Sequence, residues 1–387
     1  MKNLRWLFLL IFTFSATTTS GQYADDNVTN RKARDPFKAN KKSGKTDSSS
    51  ISKTISLSDS VPEEKTIAGV NISGIQIINA VSDSSLLGYV QTGMFNQWTE
   101  AIPDKPYTEY LQSYVDRRYN TMYKEGATKL VWIIQELRIS ERTFNMSEKG
   151  FLHLKAISFA GDNNDTFRLI TELDTILEKG GMDVSRKHRE NIIHALQILL
   201  DQSLTKNVSV YKATYPVYTM SAIRAKALQR YNVPALQEKD HPDGIYLTFK
   251  EFLNDKPSFS NVTYSLEHDS VRFYHTDNNG NKIFIDKFWG VRKNGILLKQ
   301  YYDLLIPIEQ KQNGISLTNN LLLARQRNNA VIPAMVGGGL LGGAIAGAAM
   351  GGSSMAYVLP LVKNIPYIRK KVPWATRVDI ETGEFAL

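Results

Sequence analysis

Apolar residues recur along this chain in two rhythms, and each rhythm predicts its own kind of element. Tyr107, Leu111, Tyr114, Val115, Tyr119 and Met122 fall at helical spacing, predicting a helix with Thr108 as its cap and Gly126 as its stop. A second helical run, VSRKHRENIIHALQILLDQSL, places Ile192, Leu196, Leu199 and Leu200 on one face. Asp183 or Ser185 is positioned to cap it, His188 is expected in solvent, and His194 belongs at the edge of the apolar face. Between the two helices KLVWIIQELRISER, GFLHLKAISFAGD and TFRLITELDTILE read as strands, with apolar residues on both faces. An earlier β-like run starts at Ile75, Ile77 and Ile78 and continues through LLGYVQTG. The order β-α-β-β-β-α predicts an α+β domain over residues 67–207, with helices packed on a mainly antiparallel sheet.

Residues 208–240 read as a connector, where Pro216 and Pro234 bracket a short helix beginning at Ser221. Residues 241–387 then read as a β-rich meander or roll. Its hairpins turn at Asn278-Asn279-Gly280-Asn281 and at Lys293-Asn294-Gly295, and ATRVDIETGEF forms its last strand. Both ends of the first domain's surroundings differ from this pattern. Lys2 and Arg5 followed by WLFLLIFTF and small residues predict an export signal over residues 1–21. Residues 22–66, polar and rich in Ser and Lys, bury little apolar area and read as a disordered linker.

One stretch follows neither rhythm. Ala330 to Val362 carries no charge, and within it Gly339, Gly343, Gly347 and Gly351 recur every fourth residue. On a helix these glycines form a side-chain-free stripe suited to close packing, a glycine zipper for self-association or membrane contact; the alternative is a mobile or self-packed insertion in the β-rich domain. As a lone membrane span the stretch is marginal. Between Ala334 and Gly352 the strong insertion residues are Val336, Leu340, Leu341 and Ile345, worth about −0.3 to −0.6 kcal/mol each. Glycine costs helix propensity of about 1 kcal/mol apiece in water. Basic residues flank both ends, so neither orientation is favoured.

Composition narrows the chemistry. The formal net charge is +9, spread along the chain apart from a basic run between Arg31 and Lys53. Charge of that kind gives weak grounds for nucleic-acid binding, and Tyr107, Tyr110, Tyr114 and Tyr119 sit at core spacing rather than on a stacking platform. The absence of cysteine excludes disulfides, thiolate metal sites, a Cys nucleophile and a lipidated N-terminal Cys. An exported chain of this size built without cysteine points to a bacterium. ANKKSGKT (39–46) ends like a phosphate loop but lacks the first glycine and a preceding strand. Gly337, Gly339 and Gly342 match G-x-G-x-x-G without the acidic partner downstream. His268-Asp269, His275-x-Asp277 and Asp162-Asn163-Asn164-Asp165 read as strand ends and turns ahead of acid–base or calcium sites. Glu136, Glu141, Glu172 and Asp174 read as solvent-face strand charges, the alternative being carboxylates paired in space. No catalytic, cofactor or metal residues are assigned.

KLVWIIQELRISE with GGMDVSRKHRENIIHALQILL, then YLTFKEFLNDKPS, KFWGVRKNGILLKQ and RVDIETGEF, resembles a family of uncharacterised exported bacterial proteins with a C-terminal D-x-E-T-G strand and a glycine-rich insertion. The resemblance implies export and no catalytic residues. The element order of the first domain is also similar to that of small accessory domains of envelope transport lipoproteins, although the lipidated Cys is missing. The expected function is that of a non-enzymatic binding or assembly module, periplasmic or envelope-associated. Its partners would be itself, a membrane reached through residues 330–362, or another envelope component. The alternative is a hydrolase of envelope or extracellular polymers whose carboxylates converge only in three dimensions.

Overall fold

The computed structural model describes residues 52–57, 70–92, 97–144, 147–161, 165–210, 216–267, 270–318, 359–363, 365, 368 and 371–387. The chain is α+β, as the patterning predicts. The expected export signal and the stripe Gly339, Gly343, Gly347 and Gly351 lie outside the described residues, as do most of residues 22–66.

The first sheet contains β1 (Ser52–Ile55), β2 (Ile72–Asn79), β3 (Gly88–Thr92), β4 (Gln97–Pro103), β5 (Thr128–Phe144), β6 (Ser147–Gly161), β7 (Phe167–Gly181) and β8 (Val217–Tyr218). Its order is β1-β4-β3-β5-β6-β7-β8, with β2 also pairing β5. The long strand β5 is antiparallel to β6 and carries two parallel neighbours on its other side: β2 along its first half, and β3 at Ile139 and Ser140. Two departures from the expected boundaries follow. Ser52–Ile55, placed by composition in the disordered linker, is a strand parallel to β4, and buried Ile55 and Leu57 hold it there. Val217–Tyr218, placed in the connector, closes the far edge of the same sheet.

Helices α1 (Tyr107–Tyr119) and α2 (Lys187–Val210) cover one face. The tyrosine stripe of α1 is buried as its spacing predicts. Its N-cap is Pro106, however, and no side chain caps it, so Thr108 does not serve there. A β-bulge keeps the helical face of β5 apolar from Leu130 to Ile139. The register of β5 against β6 shifts between Ile134 and Glu136, so parity reverses at Gln135. Leu130, Trp132 and Ile134 therefore share the helical face with Leu137, Ile139 and Glu141. Val131 and Ile133 share the opposite face with Glu136, Arg138 and Ser140. On that opposite face α3 (Met220–Gln229) buries Ile223 and Ala227 against Val131, Ile133 and Phe159.

After α4 (Pro234–Gln237), the second sheet begins with β9 (Gly244–Tyr246), which leads into α5 (Phe249–Leu253). A small three-stranded sheet follows: β10 (Thr263–Glu267), β11 (Ser270–Thr276) and β12 (Lys282–Phe284). Then β13 (Gly290–Lys293), β14 (Ile296–Tyr301), β15 (Leu304–Lys311), β16 (Gly314–Leu317), β17 (Arg377–Val378) and β18 (Phe385–Ala386) pair in sequence, all antiparallel. Tyr89, Trp98 and Phe151 of the first sheet share one apolar core with Tyr246, Phe252, Trp289, Ile315 and Phe385 of the second region.

The D-x-E-T-G sequence, expected within a strand, is instead the turn joining β17 to β18. Asp379 Oδ1 accepts hydrogen bonds from the backbone N–H groups of Glu381 and Thr382 and from the Thr382 hydroxyl. Gly383 takes φ +72°, and a Cβ there would come 2.4 Å from the Phe249 ring. Its carbonyl accepts from the Trp289 indole at 3.0 Å. The glycine is thus required twice, by its conformation and by the ring against it.

A second close approach fixes α2. His188, expected in solvent, is fully buried, while His194 is exposed. The His188 ring lies over Gly150 of β6, where a Cβ would meet Cε1 at 3.0 Å. Its Nε2 bonds Glu141 at 2.6 Å, and the same carboxylate accepts the Gln91 N–H at 2.5 Å. The pinned ring cannot retreat, so the Gly150→Val variant is expected to lose about 1–3 kcal/mol by overpacking. A fall in the urea midpoint with an unchanged slope would show this. An unchanged midpoint would mean that the ring is free to move.

Candidate functional site

The polar half of the first sheet's second face is where three parts of the chain converge. Glu136 stands at its centre, fully buried. Arg230, the residue that ends α3, forms an ion pair with Glu136 Oε1. Arg377 of β17 approaches Oε2 at 3.1 Å. Both guanidinium side chains are themselves more than nine-tenths buried, at 7% and 8% exposure. Burial pushes the Glu136 carboxyl up, but Arg377, Arg230, Arg138 and His153 together outweigh it and hold the carboxyl below its ordinary value. It is therefore a fixed anion near neutral pH.

The network continues outward. Arg230 Nη1 lies 3.5 Å from Glu381 of the D-x-E-T-G turn, and Glu381 also pairs with Lys155 of β6. Lys155 faces Asp174, which bonds His153 Nε2 at 2.7 Å. The His153 hydrogen bond is the main cause holding the Asp174 carboxyl below its usual range, and burial opposes it. Arg138 donates to the backbone carbonyls of Leu86 and Asp83. A small cleft of about 10 Å³, room for about one water, opens here, lined by Ser82, Glu136, Arg230, Tyr231, Gly314 and Arg377.

The residues singled out from sequence fare unevenly. Glu136 and Glu141 are not solvent-face charges: both are buried, five positions apart on opposite faces of β5, each with its own cationic or histidine partner. Glu172 and Asp174 are exposed. His275 stacks on Phe259 at 4.9 Å, and Asp277 accepts the backbone N–H groups of Asn279 and Asn281. Each does a separate structural task. His268, Asp269 and Asp162 to Asn164 lie outside the described residues. Among the described residues no group of three His, Asp or Glu side chains is arranged to hold a metal ion. Sequence reading did not find Arg230, Arg377 or His153. The only available signal was charge embedded within strongly apolar strands.

A third feature lies in the second sheet. Lys299, on β14, is 5% exposed. Its ammonium sits 5.0 Å from the Trp289 ring and 5.1 Å from that of Phe385. Burial lowers its pKa to about 8, helped by the Lys363 charge and opposed by that of Glu384.

No family model and no curated protein matches the chain. Among solved structures, the crystal structure of a Xanthomonas campestris protein of the DUF330 family aligns with 10% identity and a TM-score of 0.25, covering 40% of this chain and 93% of that one. A likeness this shallow carries no argument about fold or function.

The two buried features predict opposite responses. Removing Glu136 alone strands two buried guanidiniums, so Glu136→Leu should cost about 3–5 kcal/mol. The triple variant Glu136→Leu/Arg230→Met/Arg377→Met should stay within about 1 kcal/mol of wild type. Because the folded carboxyl titrates below its ordinary value of 4.5, its contribution is present above that pH and is lost as pH falls through the folded value. Urea titrations across the acid range should show a shallower acid limb in the triple variant. Equal acid limbs would refute the assignment.

Lys299 works the other way. The unfolded chain keeps this proton up to about 10.5 and the folded chain releases it near 8, so burial costs stability below pH 8. Lys299→Met should therefore raise stability by about 1–3 kcal/mol at pH 7, with the gain shrinking as pH rises from about 8 toward 10.5. A destabilised variant at pH 7 would show that the ring contacts outweigh desolvation.

Proposed function

We propose that this chain is a non-enzymatic binding or assembly module of a bacterial cell envelope, exported, which presents its glycine-rich segment for self-association or membrane contact. The observation that carries the reading is where that segment is anchored. β16 and β17 are hydrogen-bonded neighbours, pairing Ile315 with Val378 and Ser316 with Arg377. The chain between them runs from Thr318 to Thr376 and includes the uncharged stretch. Leu359 to Val362 return to the second sheet's core, where Leu361 bridges to Trp374 and Val362 N–H donates to Pro373. The strands that flank the segment in sequence are thus neighbours in one sheet.

The charged residues around the cleft support the same reading. Glu136, Asp174 and Glu381 are each held by a cation or an imidazole, an arrangement that fixes position rather than one that moves protons. The role of Gly339, Gly343, Gly347 and Gly351 is to let another helix or the lipid come close.

The test is fractionation of the native cell into soluble, inner-membrane and outer-membrane pools, with oligomer size measured in detergent, for wild type and for Gly343→Leu/Gly347→Leu. The wild type is expected in a membrane pool or as an oligomer, and the variant should shift toward soluble monomer. A soluble, monomeric wild type, or a variant indistinguishable from it in both readouts, would sink the proposal.

A further inference from the structure

Large apolar side chains that remain exposed on this protein are mostly scattered: Met182, Val217, Leu228, Leu266 and Ile283 belong to separate elements. Tyr302 is different. It is 67% exposed, in the turn between β14 and β15, and it adopts φ +54°. A tyrosine in that region is sterically disfavoured, and a turn would accept Asn or Gly at less cost. Tyr302 also belongs to a contiguous cluster. Its ring meets Tyr301 at 4.9 Å, and the Lys363 ammonium lies 4.4 Å from the Tyr302 ring and 5.4 Å from that of Tyr301. The Tyr301 hydroxyl accepts the Leu361 N–H at 3.1 Å. Leu361 bridges to Trp374, and Arg142 stacks over Trp374 at 4.5 Å while donating to the Val372 carbonyl at 2.5 Å.

From this geometry we infer that Tyr301, Tyr302, Lys363, Trp374 and Arg142 form a docking face for the headgroup region of an anionic phospholipid bilayer. Aromatic rings with a polar edge, interleaved with Lys and Arg, are the side chains that settle at a lipid–water boundary. The location selects lipid over other partners. Lys363 directly follows the uncharged stretch, and Leu361 and Trp374 form the bridge by which the chain rejoins the second sheet. A face that meets lipid here is joined in sequence to an uncharged, apolar stretch. Asp303, exposed next to Tyr302, is the opposing charge in this turn. The inference rests on the membrane branch of the proposed function and assigns the folded surface and the lipid class to it.

The test is flotation of the purified full chain with vesicles of phosphatidylcholine alone or of phosphatidylcholine mixed with phosphatidylglycerol. Wild type should float with the anionic vesicles, and less so as salt rises. Tyr302→Ser/Lys363→Glu should weaken that binding at least about fivefold, since each cation near an anionic surface contributes about that factor. Its thermal unfolding should remain that of wild type. A variant that floats as well as wild type overturns the inference, and so does equal binding to both vesicle types or retention only by a protein partner. Gly343→Leu/Gly347→Leu separates the two claims. If that variant loses flotation while Tyr302→Ser/Lys363→Glu keeps it, the docking face fails and the segment's membrane role survives. If wild type floats with neither vesicle, both fail.

Discussion

Burying one carboxylate between two arginines sets the terms for the rest of this molecule. Glu136 comes from the central strand of the first sheet, Arg230 from the end of a helix that follows that sheet, and Arg377 from a strand near the end of the second. Glu136 cannot be withdrawn without leaving two guanidiniums unpaired in a low-dielectric interior, where each costs several kcal/mol. Three distant stretches of sequence are therefore obliged to meet at one point. Apolar contact between Tyr89, Trp98 and Phe151 and the second region would by itself tolerate sliding. The ion pairs fix the register of that contact, because a guanidinium displaced by one residue loses its partner. The D-x-E-T-G turn extends the same device, since Glu381 reaches both Arg230 and Lys155.

That device depends on the bulge at Gln135. Without it Glu136 would point toward α1 and α2, and the helical face would receive a carboxylate and a guanidinium in place of Leu137 and Ile139. One extra residue in β5 keeps the helical face apolar on both sides of the bulge and lets the opposite face turn polar where the second sheet covers it. Glu141 shows the cost of polarity on the helical side. It is tolerated there because His188 and the Gln91 N–H satisfy it, and because Gly150 leaves room for the imidazole.

These facts explain what could be read from the sequence and what could not. The stripe Tyr107, Leu111, Tyr114, Val115 and Tyr119 has one period and one buried face, so its helix was legible. The three long strands were legible from their apolar density. Glu136, Glu141 and His188 were misread because a charge in a strand or at a helix start is ordinarily solvated, and their partners lie 47 to 241 residues away, beyond any local pattern. Ser52–Ile55 was hidden by its polar surroundings, since an edge strand needs only Ile55 and Leu57 to anchor it. The D-I-E-T-G run alternates like a strand, but Asp379 gathers the backbone donors that follow it and closes a turn.

The same anchoring limits what the uncharged stretch can do. A single membrane crossing would put the chain before and after it on opposite sides of a bilayer, whereas the flanking strands β16 and β17 are neighbours in one sheet. Two crossings would need about 40 consecutive apolar residues. The stretch begins at Ala330, and its last residues, Leu359 to Val362, are already committed to the second sheet's core. What remains is too short to cross twice. On the reading proposed above, the glycine-rich composition suits close packing at the lipid boundary or against its counterpart in another copy, neither of which requires it to span.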